Sequence, residues 1–163
     1  MSFPDRIISL EIRASKFGFA VLEGPDKLLD WGVRSFVEEG EELKSAVGDR
    51  INTLLAFYEP VAVIARERKH HSAVQRQRIR TIFAIARLMT RRGSASFRTL
   101  TAARVRKHFD LDGCITKHEI ARGLAEQFDE LSFKLPNPRK AYQSEAPAML
   151  VFDALSTGVA FLK

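Results

Sequence analysis

Four acidic residues stand where a solvated charge is not expected, and they suggest which chemistry the chain could perform. Glu11 and Asp153 interrupt apolar segments, Glu67 directly follows one, and Glu145 lies at the start of the predicted last helix. Converging carboxylates repel one another and have raised pKa values unless a cation neutralises them. Hard divalent cations prefer oxygen ligands, so the four acids are candidate ligands of Mg²⁺ or Mn²⁺. A pair of such ions about 3.5–4 Å apart can activate water and stabilise the leaving oxygen of a phosphodiester.

Basic side chains are concentrated in residues 66–92, a segment with nine Lys or Arg residues and one acid. The whole chain carries a net charge of +6, so this segment supplies more than the entire excess. A directed basic surface suits a phosphate backbone, although a solvated helix face is the alternative interpretation. The candidate nucleic-acid-binding residues are Arg66, Arg68, Lys69, Arg76, Arg80 and Arg87.

The hydrophobic pattern predicts the elements that must position these side chains. Residues 6–12, 17–23 and 27–37 are predicted to form three strands of an antiparallel meander. A helix between Gly40 and Pro60 then leads to a short buried strand over 61–65. Further elements are predicted as a helix over 72–92, a strand over 95–100, a helix over 102–108, a helix opened by Thr116 and a last helix from Gln143. The predicted fold class is α/β, a mixed sheet with helices on both faces.

Two of the acids are predicted to share one face of the last helix. Glu145 and Asp153 are eight residues apart, which is about 80° around a helix, so both can face one cleft. Glu67 immediately follows the buried strand, and Glu11 lies between Leu10 and Ile12 in the first strand.

Length and composition exclude several classes of protein. The chain has 163 residues, 45% of them apolar, which predicts a single domain spanning 1–163 with an ordinary core. The single Cys114 excludes an internal disulfide framework. The N-terminus lacks a signal-peptide core, and the longest apolar stretch is interrupted by Asp153, so we expect a soluble, cytoplasmic protein with no membrane partner.

The order of these features resembles the ribonuclease H-like nucleases, and more narrowly the RuvC-type Holliday-junction resolvases. Residues 7–12, 17–23 and 29–32 are similar to the opening hairpin of that family, and residues 61–67 resemble its second acidic strand. Residues 101–107, followed by Thr116 and Lys117, are similar to the segment that carries a basic, DNA-contacting residue. Residues 152–155 resemble its C-terminal acid–Ala–Leu helix.

The resemblance implies a Mg²⁺- or Mn²⁺-dependent endonuclease that works as a homodimer and cuts branched DNA in recombination and repair. The four acids are the implied catalytic metal ligands, and Lys117 is the implied catalytic cation that neutralises charge on a phosphate. We prefer the register that assigns Asp153 to the C-terminal acid, with Glu145 as a substitute ligand. The other register places Ser144 and Pro147 there, which leaves neither acid.

Two departures from the family pattern motivate a second hypothesis. Glu11 replaces the usual Asp, and Leu150 stands three residues before Asp153, where the family usually carries another acid. The alternative is a catalytically decayed nucleic-acid-binding or scaffold protein of the same fold. A helix-turn-helix regulator is disfavoured because a Pro-Asn-Pro loop follows residues 116–128 where a recognition helix would be needed. An actin-like phosphotransferase is disfavoured because Glu11 is not followed by a Gly-bearing phosphate turn.

Overall fold

A computed structural model of the chain describes residues 5–67, 72–110, 115–138 and 145–163. The described residues contain one five-stranded sheet. The first three strands, β1 (Arg6–Ile12), β2 (Lys16–Glu23) and β3 (Leu28–Ser35), are antiparallel neighbours. The last two, β4 (Ala62–Glu67) and β5 (Ser96–Thr101), run parallel to β1 and to each other. The order of the strands across the sheet is β3-β2-β1-β4-β5. The predicted mixed sheet is confirmed.

Five α-helices and one 3₁₀ helix connect or follow the strands in the described part of the chain. They are α1 (Gly40–Tyr58), α2 (Ala73–Arg92), α3 (Ala102–Phe109), α4 (Lys117–Gln127), the 3₁₀ helix Asp129–Lys134 and α5 (Met149–Leu162). None of the helices in these ranges has the length and apolar character needed to cross a bilayer.

Successive side chains of β1 point to opposite faces of the sheet, and a separate half of the hydrophobic core lies on each face. Ile8, Leu10 and Ile12 pack with the apolar faces of α1 and α2. Ile7 packs on the other face with apolar residues of α3, α4 and α5, where Glu11 also points because it is an even number of residues away. Helices therefore cover both faces, and Glu11 belongs to the face that α5 covers.

Helix α5 packs closely against the sheet, with a glycine at each of two points of contact. A Cβ atom on Gly18 would stand 2.6 Å from the carbonyl oxygen of Leu150, and one on Gly158 would stand 2.8 Å from Ser9 Oγ. Every residue from Met149 to Val159 is buried. Asp153 is therefore carried by a helix whose position against the strands is closely fixed.

The last helix begins later than the sequence predicts. The prediction started it at Gln143, which lies outside the described residues, whereas α5 begins at Met149 and Glu145 precedes it. The backbone N–H groups of Met149 and Leu150 bond to carbonyls three residues back, at 2.9 and 3.2 Å, in a turn that leads into the helix. Pro147 explains the difference, since it has no N–H and disfavours helical geometry in the preceding residue. The predicted helical spacing of Glu145 and Asp153 is therefore wrong.

Candidate functional site

Three carboxylates meet on the α5 face of the sheet, at the C-terminal end of β1, and one guanidinium contacts all of them. Arg13 lies two residues after Glu11, so the alternation of an extended chain sends both side chains toward α5. Arg13 Nη1 forms an ion pair with Glu11 Oε1. Arg13 Nη2 lies 3.2 Å from Asp153 Oδ2 and 3.4 Å from Glu145 Oε1. Two of the three acids thus come from regular elements, and Glu145 comes from the turn before α5.

A second arginine, Arg66, is paired with Glu11 across neighbouring strands. The parallel register sets Leu10 beside Ala65, so the next residues, Glu11 and Arg66, stand side by side on the α5 face. Arg66 Nη2 lies 3.0 Å from Glu11 Oε1, and its Nε lies 2.9 Å from Oε2. The side chains are 12% and 0% exposed, so this two-point pair is buried. Arg66 Nη2 also lies 3.7 Å from Asp153 Oδ2.

Lys117 provides the third cation from the first turn of α4. Thr116 caps that helix by accepting a hydrogen bond from the N–H of Glu119, at the capping-box spacing seen in the sequence. Lys117 Nζ lies 2.8 and 2.9 Å from the two oxygens of Glu145 and 2.8 Å from Asp153 Oδ2. Three acids therefore face three bases, whose formal charges cancel. We call this group the charge cluster: Glu11, Arg13, Arg66, Lys117, Glu145 and Asp153.

Burial and neighbouring charges shift the protonation equilibria of the cluster. Burial raises the pKa of Asp153 to about 6, with Glu11 adding to the rise and Lys117 and Arg66 opposing it. Burial also acts to raise the pKa of Glu145, but the hydrogen bond and charge of Lys117, with help from Arg13, lower it overall. Burial acts to lower the pKa of Arg66, and the charges of Glu11 and Asp153 outweigh that effect and raise it.

Glu67 is not brought into the charge cluster, although the sequence analysis placed it among the metal ligands. It follows Arg66 at the end of β4, and successive strand residues point to opposite faces of a sheet. Its side chain is exposed, and its Oε1 accepts a hydrogen bond from Thr99 Oγ1 at 2.9 Å. The position beside Glu11 that an acidic ligand on β4 would need is occupied by Arg66.

Two cavities border the end of β4, one on each side. The larger, of about 810 Å³, is lined on its apolar side by Val105 and Phe152 and on its charged side by Arg106, Lys117 and Asp153. The smaller, of about 250 Å³, lies against α2. Both are lined by the two residues that end β4, Arg66 and Glu67. The end of β4 therefore lies between two cavities, and basic side chains line both of them.

Two of the predicted DNA-binding arginines, both on α2, border the smaller cavity. Arg80 and Arg87 line it, and Arg87 also lies over the rings of Phe83 and Phe97, at 5.5 and 5.6 Å from their centroids. Arg76 is exposed nearer the start of the helix. The remaining predicted DNA-binding residues, Arg68 and Lys69, fall outside the described residues.

Comparison with solved structures identifies the fold. The chain is similar to Thermus thermophilus RuvC in complex with a Holliday junction substrate, with a TM-score of 0.74 over 95% of this chain and 91% of the other at 13% identity. It is also similar to the yeast mitochondrial Holliday junction resolvase, with a TM-score of 0.69 over 98% and 78% of the chains at 11% identity. This chain has the ribonuclease H-like fold of the RuvC resolvases. The fowlpox virus resolvase matches less closely, with a TM-score of 0.57 over 96% and 97% of the chains at 11% identity. No family model and no curated protein matches the sequence.

Within this RuvC-like fold, the residues present do not fit the divalent ion that the resemblance implies. In the described ranges no group of three or more His, Cys, Asp or Glu side chains is arranged to hold a metal. The oxygens of Glu11, Glu145 and Asp153 instead face guanidinium and ammonium groups at ion-pair distances. The cluster is already neutral, so a metal would have to displace cations that belong to the chain.

Two features of the site were missed by the sequence analysis. Arg13 was not singled out, although its spacing of two from Glu11 places both on one face of an extended segment. The pairing of Arg66 with Glu11 was also missed, because it depends on the register between β1 and β4; the predicted role of Arg66 in binding nucleic acid stays a prediction. Leu150 is 3% exposed and packs over Gly18, so the position three before Asp153 serves packing and offers no ligand.

Proposed function

We propose that this chain binds branched DNA and that its charge cluster does not support metal-dependent cleavage. The observation that carries the proposal is the buried pair of Glu11 and Arg66. A guanidinium beside the strand acid neutralises the charge that would otherwise attract a divalent ion. The binding half of the proposal is supported by the similarity in fold to resolvases that were solved with Holliday junction DNA.

The distribution of exposed cations supports DNA as the ligand. The exposed Arg80 and Arg87 line the smaller cavity, and the exposed Arg106 lines the larger one on the other side of β4. Phosphate contacts from such residues supply most of the affinity of a protein for DNA and orient it on the strands. A ligand that spans both cavities would cross the end of β4, directly over the charge cluster.

The second candidate is the divalent-metal-dependent endonuclease of crossover-junction type that the resemblance implies. It is favoured by the convergence of Glu11, Glu145 and Asp153 within reach of one guanidinium. Lys117, the implied catalytic cation, also contacts two of these acids. This candidate requires Mg²⁺ or Mn²⁺ to replace cations of the chain, and cleavage of a labelled junction in either ion separates the two candidates.

DNA recognition is tested by fluorescence anisotropy with a labelled four-way junction and a duplex of the same sequence, both in EDTA. We expect the junction to bind on the order of tenfold more tightly than the duplex. EDTA should not abolish this difference, because we propose that the chain recognises the shape of the DNA without a metal ion. Replacing Arg80 and Arg87 with Ala should weaken binding, whereas Arg50→Ala, on the exposed side of α1, should leave it unchanged. Equal affinity for junction and duplex would contradict the proposal.

The homodimer implied by the resemblance stays a prediction. Two copies would present two equivalent charge clusters to a junction with two-fold symmetry. Sedimentation equilibrium of the chain, with and without the junction, measures the number of copies directly. A monomer that remains monomeric on the junction would contradict the prediction.

A further inference from the structure

We propose that the smaller cavity, between the end of β4 and α2, holds an unpaired guanine base that Glu67 recognises by accepting two hydrogen bonds from it. The inference rests on the proposed function, because it names the part of a branched DNA that this side of β4 receives. It gives Glu67 a role in reading a base, outside the charge cluster.

The size and lining of the smaller cavity suit one flat ring system. Its volume of about 250 Å³ is below the roughly 300–1,000 Å³ of cavities that hold drug-sized ligands. Ile12, Ile79 and Phe83 line it with apolar surface. The guanidinium of Arg87 lies over the ring of Phe83, at 5.5 Å from its centroid. Bases stack on aromatic rings and on guanidinium planes, so a single nucleobase fits this lining better than a bare phosphate does.

Glu67 is an acid in a cavity whose other charged residues are basic. Those residues are Arg66, Arg80 and Arg87, and the side chain of Glu67 is exposed among them. In the ranges that the structure describes, Glu67 accepts a hydrogen bond from Thr99, and no arginine lies within ion-pair distance of it. An acid in this position repels phosphate and lowers affinity for the DNA backbone. A contact with a base, which is uncharged, accounts for its presence better than a contact with the backbone.

Hydrogen-bond chemistry selects guanine among the four bases. An ionised carboxylate only accepts hydrogen bonds and has about four lone-pair sites, of which the bond from Thr99 uses one. The pairing edge of guanine presents a ring N–H and an amino group side by side, which one carboxylate can accept together. Cytosine and adenine have the amino group without the ring N–H, and thymine has the ring N–H without the amino group. The other edge of guanine presents O6 and N7, the acceptors that arginine prefers, and Arg80 and Arg87 line the same cavity.

The guanine must be unpaired, because pairing would occupy the edge that Glu67 contacts. Taking a base out of its stack costs least where it is mismatched or already single-stranded. The crossover of a branched DNA interrupts the stacking of its arms, so a base at that point is the one most easily placed in the cavity. Glu67 ends β4, where a ligand that spans both cavities would cross, and it is therefore positioned to meet such a base.

The experiment measures fluorescence anisotropy of the full chain in EDTA with four-way junctions that differ in one unpaired nucleotide at the crossover. That nucleotide carries guanine, hypoxanthine, which lacks the amino group, or no base. Wild type should bind the guanine junction about fivefold more tightly than the hypoxanthine junction, and the junction without the base more weakly still.

Glu67→Gln should bring the affinities for guanine and hypoxanthine close together, because a neutral amide accepts these hydrogen bonds less strongly. It should not weaken binding to the junction without the base, since a charge that repels phosphate is removed. Glu130→Gln is the matched control, because it makes the same change at an exposed acid in the 3₁₀ helix, outside both cavities. It should keep the wild-type preference for guanine.

Three results would overturn the inference. The first is a wild-type chain that binds all three junctions with equal affinity, in which case the proposed function stands and the base contact does not. The second is a preference for guanine that Glu67→Gln retains, since another residue would then recognise the base. The third is a chain that binds none of the junctions, which contradicts the proposed function and this inference together.

Discussion

The buried pair of Glu11 and Arg66 gives the sharpest prediction for stability. Arg66→Gln leaves a fully buried carboxylate without its two-point partner. Removing one member of a buried ion pair costs about 3–5 kcal/mol, because the other charge stays out of water without compensation. Arg13 still contacts Glu11 in this variant, so we expect the lower end of that range, about 3 kcal/mol, in the free energy of unfolding.

A double-mutant cycle separates the pair from other effects of the substitution. Glu11→Gln and Arg66→Gln together leave two neutral side chains, so the double variant should lose less than the sum of the single losses. We expect a coupling energy of about 2 kcal/mol. The matched control is Lys44 with Glu41, which form an ion pair with the same 2.9 Å separation but are 47% and 88% exposed. That pair should couple by less than about 0.5 kcal/mol.

Urea denaturation followed by circular dichroism measures both cycles under one set of conditions. The slope of the unfolding free energy against urea should be unchanged among the variants, so that differences in midpoint report stability. A coupling energy for the buried pair no larger than that of the exposed control would mean that the contact between Glu11 and Arg66 is no stronger than a solvated ion pair, contrary to this prediction.

Three further predictions follow from other parts of the molecule. Gly18→Ala should destabilise the fold by roughly 1–3 kcal/mol in urea denaturation, because its Cβ meets the backbone of Leu150. An undiminished stability would mean that α5 is not held at this distance. Burial, and then the hydrogen bond to Asp30, raise the pKa of Tyr58 to about 12. The folded state thus keeps the phenolic proton longer than the unfolded one, and stability should fall as pH rises from about 10 to about 12. Absorbance titration of Tyr142→Phe, which leaves only Tyr58, should show a midpoint well above 10, and a midpoint near 10 would exclude the contact. Replacing the three α2 arginines proposed for DNA binding with Ala should flatten the salt dependence of DNA affinity by about 0.9 per lost phosphate contact, and an unchanged logarithmic slope would exclude such contacts. Those three residues are Arg76, Arg80 and Arg87.

The order of elements could be predicted from the sequence because each strand and helix is bounded by its own local signals. Runs of β-branched residues, the turn at residues 24–26 and the change to helical spacing after Gly40 lie within a few residues of the elements they predict. The start of α5 could not be predicted as well. The position of this start depends on the path of the chain after Pro147 and on the contact of Leu150 with Gly18 of β2. Both are set by tertiary packing and not by local sequence.

The sequence predicted most of the acidic residues of the candidate site, but it did not predict that basic residues of the chain neutralise them. Asp153 could be placed near Glu11 because α5 must bury Phe152 and Leu155 against the sheet. The faces of Arg66 and Glu67 depend on the β1–β4 register, and a shift of one residue in that register exchanges them. The amino-acid composition could not reveal which of the two residues faces α5, because Arg66 and Glu67 are neighbours in the same basic segment.

A cleavage assay on a bound junction shows whether the paired carboxylates of the charge cluster can support metal-dependent hydrolysis. A four-way junction labelled on each strand in turn is saturated with the full chain and then supplied with Mg²⁺ or Mn²⁺, and the strands are separated under denaturing conditions. We expect the junction to stay bound and all four strands to stay intact, because the carboxylates are already paired with Arg13, Arg66 and Lys117. Paired nicks at symmetric positions in opposite strands, lost in Asp153→Asn, would contradict it and establish the chain as a metal-dependent resolvase.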